Sequence, residues 1–338
     1  MKIRSLLITT LPIILIISLF LFWYFHLRIA SYSESRLMMG TVVEISALGK
    51  SEADLKEALD AAFAAMAEVE RIADRHLETS ELSRINREAS RAPVEVSPAL
   101  FDILVIAEEV SDRSGGAFDV TVAPLVDMWD FEGGGRVPNV GEIERVMGVI
   151  GHWGIILDRE KKTVFFTKAG TKIDLGGVAK GYAVTKAEET LRELGVKHAT
   201  VNAGGDIGII GDRMGRPWRV GVQNPRNPDG MVAILSLRDI AVVTSGDYER
   251  FFFENGVRYH HILDPKTGFP AGECRSVTVV YPDAAWADAF ATALFVLGPK
   301  KALTLARDIP LLDVLIVDAN GEIFTTPSIS DYCEIVKP

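Results

Sequence analysis

Thiols are scarce in this chain: Cys274 and Cys333 are its only cysteines. Two cysteines are too few for a disulfide scaffold and cannot by themselves form a thiolate zinc site. Positive charge is also short. Lys plus Arg is 36 against 46 for Asp plus Glu, a net charge of −10. The first 36 residues carry Lys2, Arg4, Arg28 and Arg36 against Glu34, so the remainder holds −13. A body that acidic repels a phosphate polyanion, and nucleic acid is not expected as a partner. The common catalytic signatures are missing too. There is no Gly-x-Ser-x-Gly elbow and no His-Glu-x-x-His pair. Gly176 to Gly181 has the glycine spacing of a phosphate loop, but Tyr182-Ala183 stands where Lys-Ser/Thr belongs.

Long apolar runs are limited to one. Residues 5–25 contain no charge. A helix of that length reaches about 31 Å, enough to cross a bilayer core. Lys2 and Arg4 precede the run and Trp23-Tyr24 close it, as expected for a helix starting in the cytoplasm. The run exceeds the apolar stretch of an ordinary signal peptide, so an uncleaved anchor is preferred to a cleaved signal. The expected division is an anchor over 1–30, a polar tether over 31–36, and one domain over 37–338. That domain is placed on the outer, periplasmic side of the inner membrane.

The rest has an ordinary globular composition, 48% hydrophobic and 24% charged. Ser51 caps an amphipathic helix marked by Leu55, Leu59, Phe63, Met66 and Val69. Ser97-Pro98 opens another helix, and a third is expected over Val178–Leu194. Residues 132–141 read as a loop. Strand-like runs then dominate, from ATVNA at 199 to SVTVVY at 276. A helix of small residues follows, separated from the next by Gly298-Pro299. Asn320-Gly321 marks a hairpin. Strands in blocks rather than in strict alternation with helices indicate an α+β fold.

Five clusters join glycines to polar side chains. They are Gly116–Asp119, Asp174–Ala183, Asn202–Asp206, Thr244–Glu249 and His260–Gly268. Turn chemistry alone accounts for any one of them; five together suggest a ligand. A sixth feature is Asp288 and Thr292, one turn apart on an otherwise apolar helix. A buried carboxylate there needs compensation. Either Asp288 joins Asp283 on a water-facing stripe, or it meets Thr292 around a hard cation such as Mg²⁺.

In this order, from Met39-Gly40-Thr41 to beyond Gly298, these clusters resemble the ApbE-type FAD:protein FMN transferases. The resemblance implies binding of FAD as substrate and, with Mg²⁺, transfer of FMN to a Ser or Thr of a target protein with release of AMP. It also implies that Met39, Ala117, Phe118, Asp119, Asp174, Lys180 and His261 contact FAD, with Ser245 and Asp247 near the same pocket. Gly177, through its carbonyl, together with Asp288 and Thr292 is implied to hold the metal. Expected targets are flavin subunits of membrane redox complexes. Many relatives are lipoproteins, whereas this chain has no cysteine near residue 25, so the anchor stands in for a lipid. His261 is the expected proton acceptor, with Asp174 as the alternative, and His260 is expected at the surface. Trp129 is expected in the core. An FAD pyrophosphatase and a non-catalytic FAD-binding membrane protein remain alternatives.

Overall fold

A computed structural model describes residues 29–336, so the apolar run at 5–25 lies outside the described residues. The chain opens with a hairpin of β1 (Ala30–Met38) and β2 (Thr41–Gly49), in register from Ala30↔Gly49 to Met38↔Thr41. The tether expected over 31–36 is therefore a strand. Its inward face carries Glu34 and Arg36, and hydropathy alone does not mark that alternation. Arg36 lays its guanidinium over the Phe63 ring at 4.2 Å, and its long stem covers apolar surface while its charge pairs outside.

Helix α1 (Glu52–Ala73) starts where Ser51 accepts from the Asp54 N–H. Three short helices escaped the sequence reading. They are α2 (Glu81–Glu88), α4 (Ala123–Trp129) and α5 (Val140–Met147), and α3 (Pro98–Arg113) lies among them as expected. Helix α5 takes over the end of the expected loop. Asn139 and Glu142 form a reciprocal cap there, which starts a helix in a Gly- and Pro-rich stretch. A small sheet of β3 (Val94–Glu95), β4 (Ile155–Asp158) and β5 (Thr163–Phe166) sits beside them.

Next come α6 (Ala179–Glu193), β6 (His198–Ala203), β7 (Asp206–Ile210), β8 (Trp218–Asn224), β9 (Asn227–Leu237) and β10 (Ala241–Gly246). The hairpin β11 (Phe251–Glu254) and β12 (Val257–His260) precedes β13 (Cys274–Tyr281) and α7 (Ala284–Asp308). The chain closes with β14 (Asp313–Asp318), β15 (Ile323–Thr325) and β16 (Cys333–Ile335). Eight strands make one antiparallel sheet in the order β1-β2-β6-β7-β10-β13-β14-β15. Helices α1, α6 and α7 cover one face, and the sheet β16-β9-β8 covers part of the other. Mixed α/β layers around a shared core match the expected α+β class.

Helix α7 is long and apolar enough to cross a membrane, yet it is the central core helix. Gly298 breaks it with φ +73°, at the point where the sequence separates two helices. Trp129 is fully buried as expected, and its indole N–H donates to the Gly268 carbonyl at 2.9 Å. Cys274 and Cys333 are free thiols.

Candidate active site

The site begins where α6 crosses α7. A β-carbon at Gly181 would stand 2.2 Å from the Ala284 carbonyl oxygen and 2.7 Å from Asp288 Cβ, so only glycine allows this approach. The same closeness lets the Gly181 N–H donate to Asp288 Oδ2 at 2.9 Å. Asp288 is 4% exposed, which excludes the water-facing stripe; Asp283 instead caps α7 through the Ala285 and Trp286 N–H groups. One turn along α7, Thr292 lies 3.3 Å from the Ser245 hydroxyl of β10. A β-carbon on Gly177 would meet Thr292 Oγ1 at 3.2 Å and Phe118 Cε2 at 3.0 Å. Gly177, Thr292 and Ser245 therefore converge, with Asp288 one turn behind.

The electrostatics are tense. Burial, and then Asp206, push the Asp288 carboxyl up to about 7. Lys180, half-buried at the groove, forms an ion pair with the buried Asp206 at the start of β7. Burial opposes its charge, but Asp206 and Asp288 together raise its pKa above that of an ordinary lysine. Asp206 is 1% exposed and its Oδ1 has no hydrogen-bond partner. Two buried carboxylates thus share one lysine, a region short of positive charge.

In front of this floor runs a groove with two lobes of about 280 and 270 Å³. Arg75, His76, Asp174 and Arg250 line both lobes, which makes them continuous. One lobe reaches Met39 and Lys180, and the other reaches Phe118, His261 and Thr292. Asp174 forms an ion pair with Arg75, Oδ2 to Nε at 2.7 Å, and accepts from the Gly176 N–H at 2.7 Å. Asp119 is occupied by the Thr121 N–H and hydroxyl and by the His152 N–H, so it shapes the wall at Ala117-Phe118.

His261 closes the groove. Its Nδ1 faces the Arg250 carbonyl oxygen at 3.3 Å. A carbonyl only accepts, so Nδ1 carries the hydrogen and Nε2 keeps its lone pair. Burial, Arg250 and His260 push the His261 pKa down to about 3, which keeps the ring neutral.

The profile of the ApbE family matches residues 39–316. The chain belongs to the ApbE family. It is 33% identical over 328 residues to the FAD:protein FMN transferase of Treponema pallidum, covering 91% of this chain and 90% of that protein. A Klebsiella pneumoniae protein of the same name is 32% identical over 295 residues, covering 86% and 90%. Among solved structures, the ApbE protein of Thermotoga maritima superposes with a TM-score of 0.84 at 35% identity, covering 90% and 99%. The flavin transferase ApbE of Vibrio cholerae gives 0.81 at 29%, covering 90% and 100%. Membership makes the protein a transferase.

Within this ApbE-family groove, Met39, Ala117, Phe118, Asp119, Asp174, Lys180 and His261 all line one lobe or the other. Ser245 lies behind Thr292. One expectation fails. His260 is buried: its Nε2 donates to the Ala271 carbonyl at 2.8 Å and its Nδ1 accepts from the Ile262 N–H, a satisfied core histidine. The strand alternation does send its ring away from His261, but towards Phe295 and not towards water. Asp247, expected near the same pocket, has both its oxygens held by Arg226 at 2.7 and 2.6 Å. The sequence reading missed Arg75, Arg250 and Asp206. Asp206 was visible as the end of a polar cluster, but the two arginines carry no local signal. They meet in the groove from segments 175 residues apart.

Proposed function

We propose that this protein transfers FMN from FAD to a Ser or Thr hydroxyl of an acceptor protein and releases AMP, with Mg²⁺ as the metal. One observation carries the reading. Gly177 and Thr292 line the groove together with His261, and Asp288 lies buried one turn behind Thr292 on α7. The donor set is a carboxylate, a hydroxyl and a backbone carbonyl, all hard oxygens suited to Mg²⁺. The shortage of positive charge around Asp288 and Asp206 is what a divalent cation relieves. When bound, Mg²⁺ neutralises charge on the diphosphate.

The chain's own groups do the rest. Arg75, fixed by Asp174, and Arg250 lie along the groove where an extended dinucleotide carries its phosphates. His261 Nε2 takes the acceptor's hydroxyl proton, its basicity raised in the complex by the negative charge of the bound diphosphate. The oxygen bonds to the FMN phosphorus as the phosphorus–oxygen bond to AMP breaks, and AMP leaves with the electron pair. Asp174, the alternative base, is already engaged by Arg75 and Gly176, and we assign it to holding the groove wall. The apolar run at 5–25 anchors the chain, with the groove on the outer side of the inner membrane. The acceptors are flavin subunits of membrane redox complexes.

Incubation of the full chain with FAD, Mg²⁺ and a flavin-accepting domain tests this by intact mass. Covalent FMN on the acceptor, absent with EDTA, is expected. Free FMN and AMP with an unmodified acceptor means a pyrophosphatase. No AMP under any condition means a protein that only binds FAD.

A further inference from the structure

The hairpin Phe251–His260 has two unlike faces. Phe252 and Tyr259 pair across it and pack on Trp129, inside a small aromatic core. Phe251 and Phe253 point the other way and are 39% and 61% exposed. Their rings meet edge to face at 5.6 Å, and the Arg258 guanidinium lies 3.9 Å from one and 5.1 Å from the other. The arginine stiffens the pair, and no carboxylate of a described residue pairs with it. The turn at Asn255-Gly256 has φ of +52° and +78°, the tight geometry that favours this dipeptide and holds the two strands in register. The β11-β12 ribbon joins no other sheet among the described residues. Its strand edges are therefore open to a third strand.

The base of this ribbon is the reactive end of the groove. Arg250 enters it and His261 leaves it, joined by the His261 N–H to the Arg250 carbonyl at 3.1 Å. Phe251 pairs with His260, and Phe253 lies two residues further, about 7 Å along the strand. The substrate whose hydroxyl must reach His261 is itself a protein, so it has to rest on the surface next to this imidazole. We infer that the Phe251/Phe253/Arg258 face of the hairpin is where the acceptor docks. The docked segment is extended, and carries an apolar side chain about two residues from its reactive Ser or Thr. The inference rests on the proposed transfer, and names the partner surface of the same site. Exposed aromatics held rigid beside a reaction centre give contact area at little entropic cost.

The test measures binding and transfer separately. The full chain is titrated with a flavin-accepting domain whose acceptor Thr is replaced by Ala, so that binding is read without chemistry. Phe253→Ser should weaken that binding about tenfold, the loss expected when one large apolar contact is removed. Phe253→Leu should restore most of it. FAD affinity, read by flavin fluorescence, should not change. With the reactive acceptor, Phe253→Ser should raise the KM for acceptor and leave kcat in place. Equal binding by wild type and Phe253→Ser overturns the docking surface, as does a parallel loss of FAD affinity. Binding that weakens as expected while wild type yields no covalent flavin supports the surface and refutes the transfer instead.

Discussion

Replacing Gly181 with alanine probes the contact on which the site is built. The new methyl carbon would stand 2.2 Å from the Ala284 carbonyl oxygen, where ordinary contact begins at 3.4 Å. The obstacle is backbone in the first turn of α7, and it cannot rotate aside. The two helices must separate by roughly 1 Å in a fully buried region, and overpacking of this kind costs about 1–3 kcal/mol or somewhat more. Alanine returns up to about 1 kcal/mol through better helix propensity. The net is a loss of about 1–2 kcal/mol. For a protein of this size that lowers Tm by roughly 2–3 °C. The functional effect should be larger than the thermal one, because the same methyl presses on Asp288 Cβ at 2.7 Å and the Gly181 N–H is the donor to its carboxylate. Circular dichroism melts of the full chain and acceptor flavinylation at 25 °C give the two readouts. A variant that melts at or above the wild-type temperature and transfers flavin normally would refute the described crossing of α6 over α7.

Other expectations rest on single groups. Asp288→Asn should abolish Mg²⁺-dependent AMP release while FAD still quenches on binding; wild-type turnover would remove Asp288 from the metal set. His261→Ala should slow transfer far more than it weakens FAD, and in the free protein the His261 imidazole should show no titration between pH 5 and 8 by NMR. A midpoint near 6.5 would contradict its burial and its neighbours Arg250 and His260. Glu188, buried on α6 under Asp283 and Asp239, titrates at about 8 in the fold against an ordinary 4.5. Its folded form holds a proton that the unfolded chain releases, so stability contributed by this group is full below about pH 4.5 and declines until about pH 8, by up to about 1.4 kcal/mol per pH unit. Glu188→Gln should therefore match wild type in urea unfolding at pH 4 and exceed it at pH 8.5; equal midpoints at both would show that Glu188 is not strained.

Much of this protein is legible along the chain. Capping serines at 51 and 97, the 3.6-residue spacing behind Ser51 and the Gly298-Pro299 break are local signals, and local backbone chemistry is enough to act on them. The polar glycine clusters and the Asp288-Thr292 pair likewise mark the residues that line or underlie the groove. Tertiary structure decided the rest, because the remaining properties belong to pairs of distant groups. β1 is a strand only because β2 and α1 accept its mixed face. His260 is a core residue because α7 brings Phe295 to its ring, and Asp247 is held by Arg226 from the turn between β8 and β9. Arg75 and Arg250 become groove residues through a chain separation that no spacing rule sees. The charge state of Asp288 follows the same logic: its type is written in the sequence, but its burial against Asp206 and Lys180 exists only once two helices and a strand have closed on it.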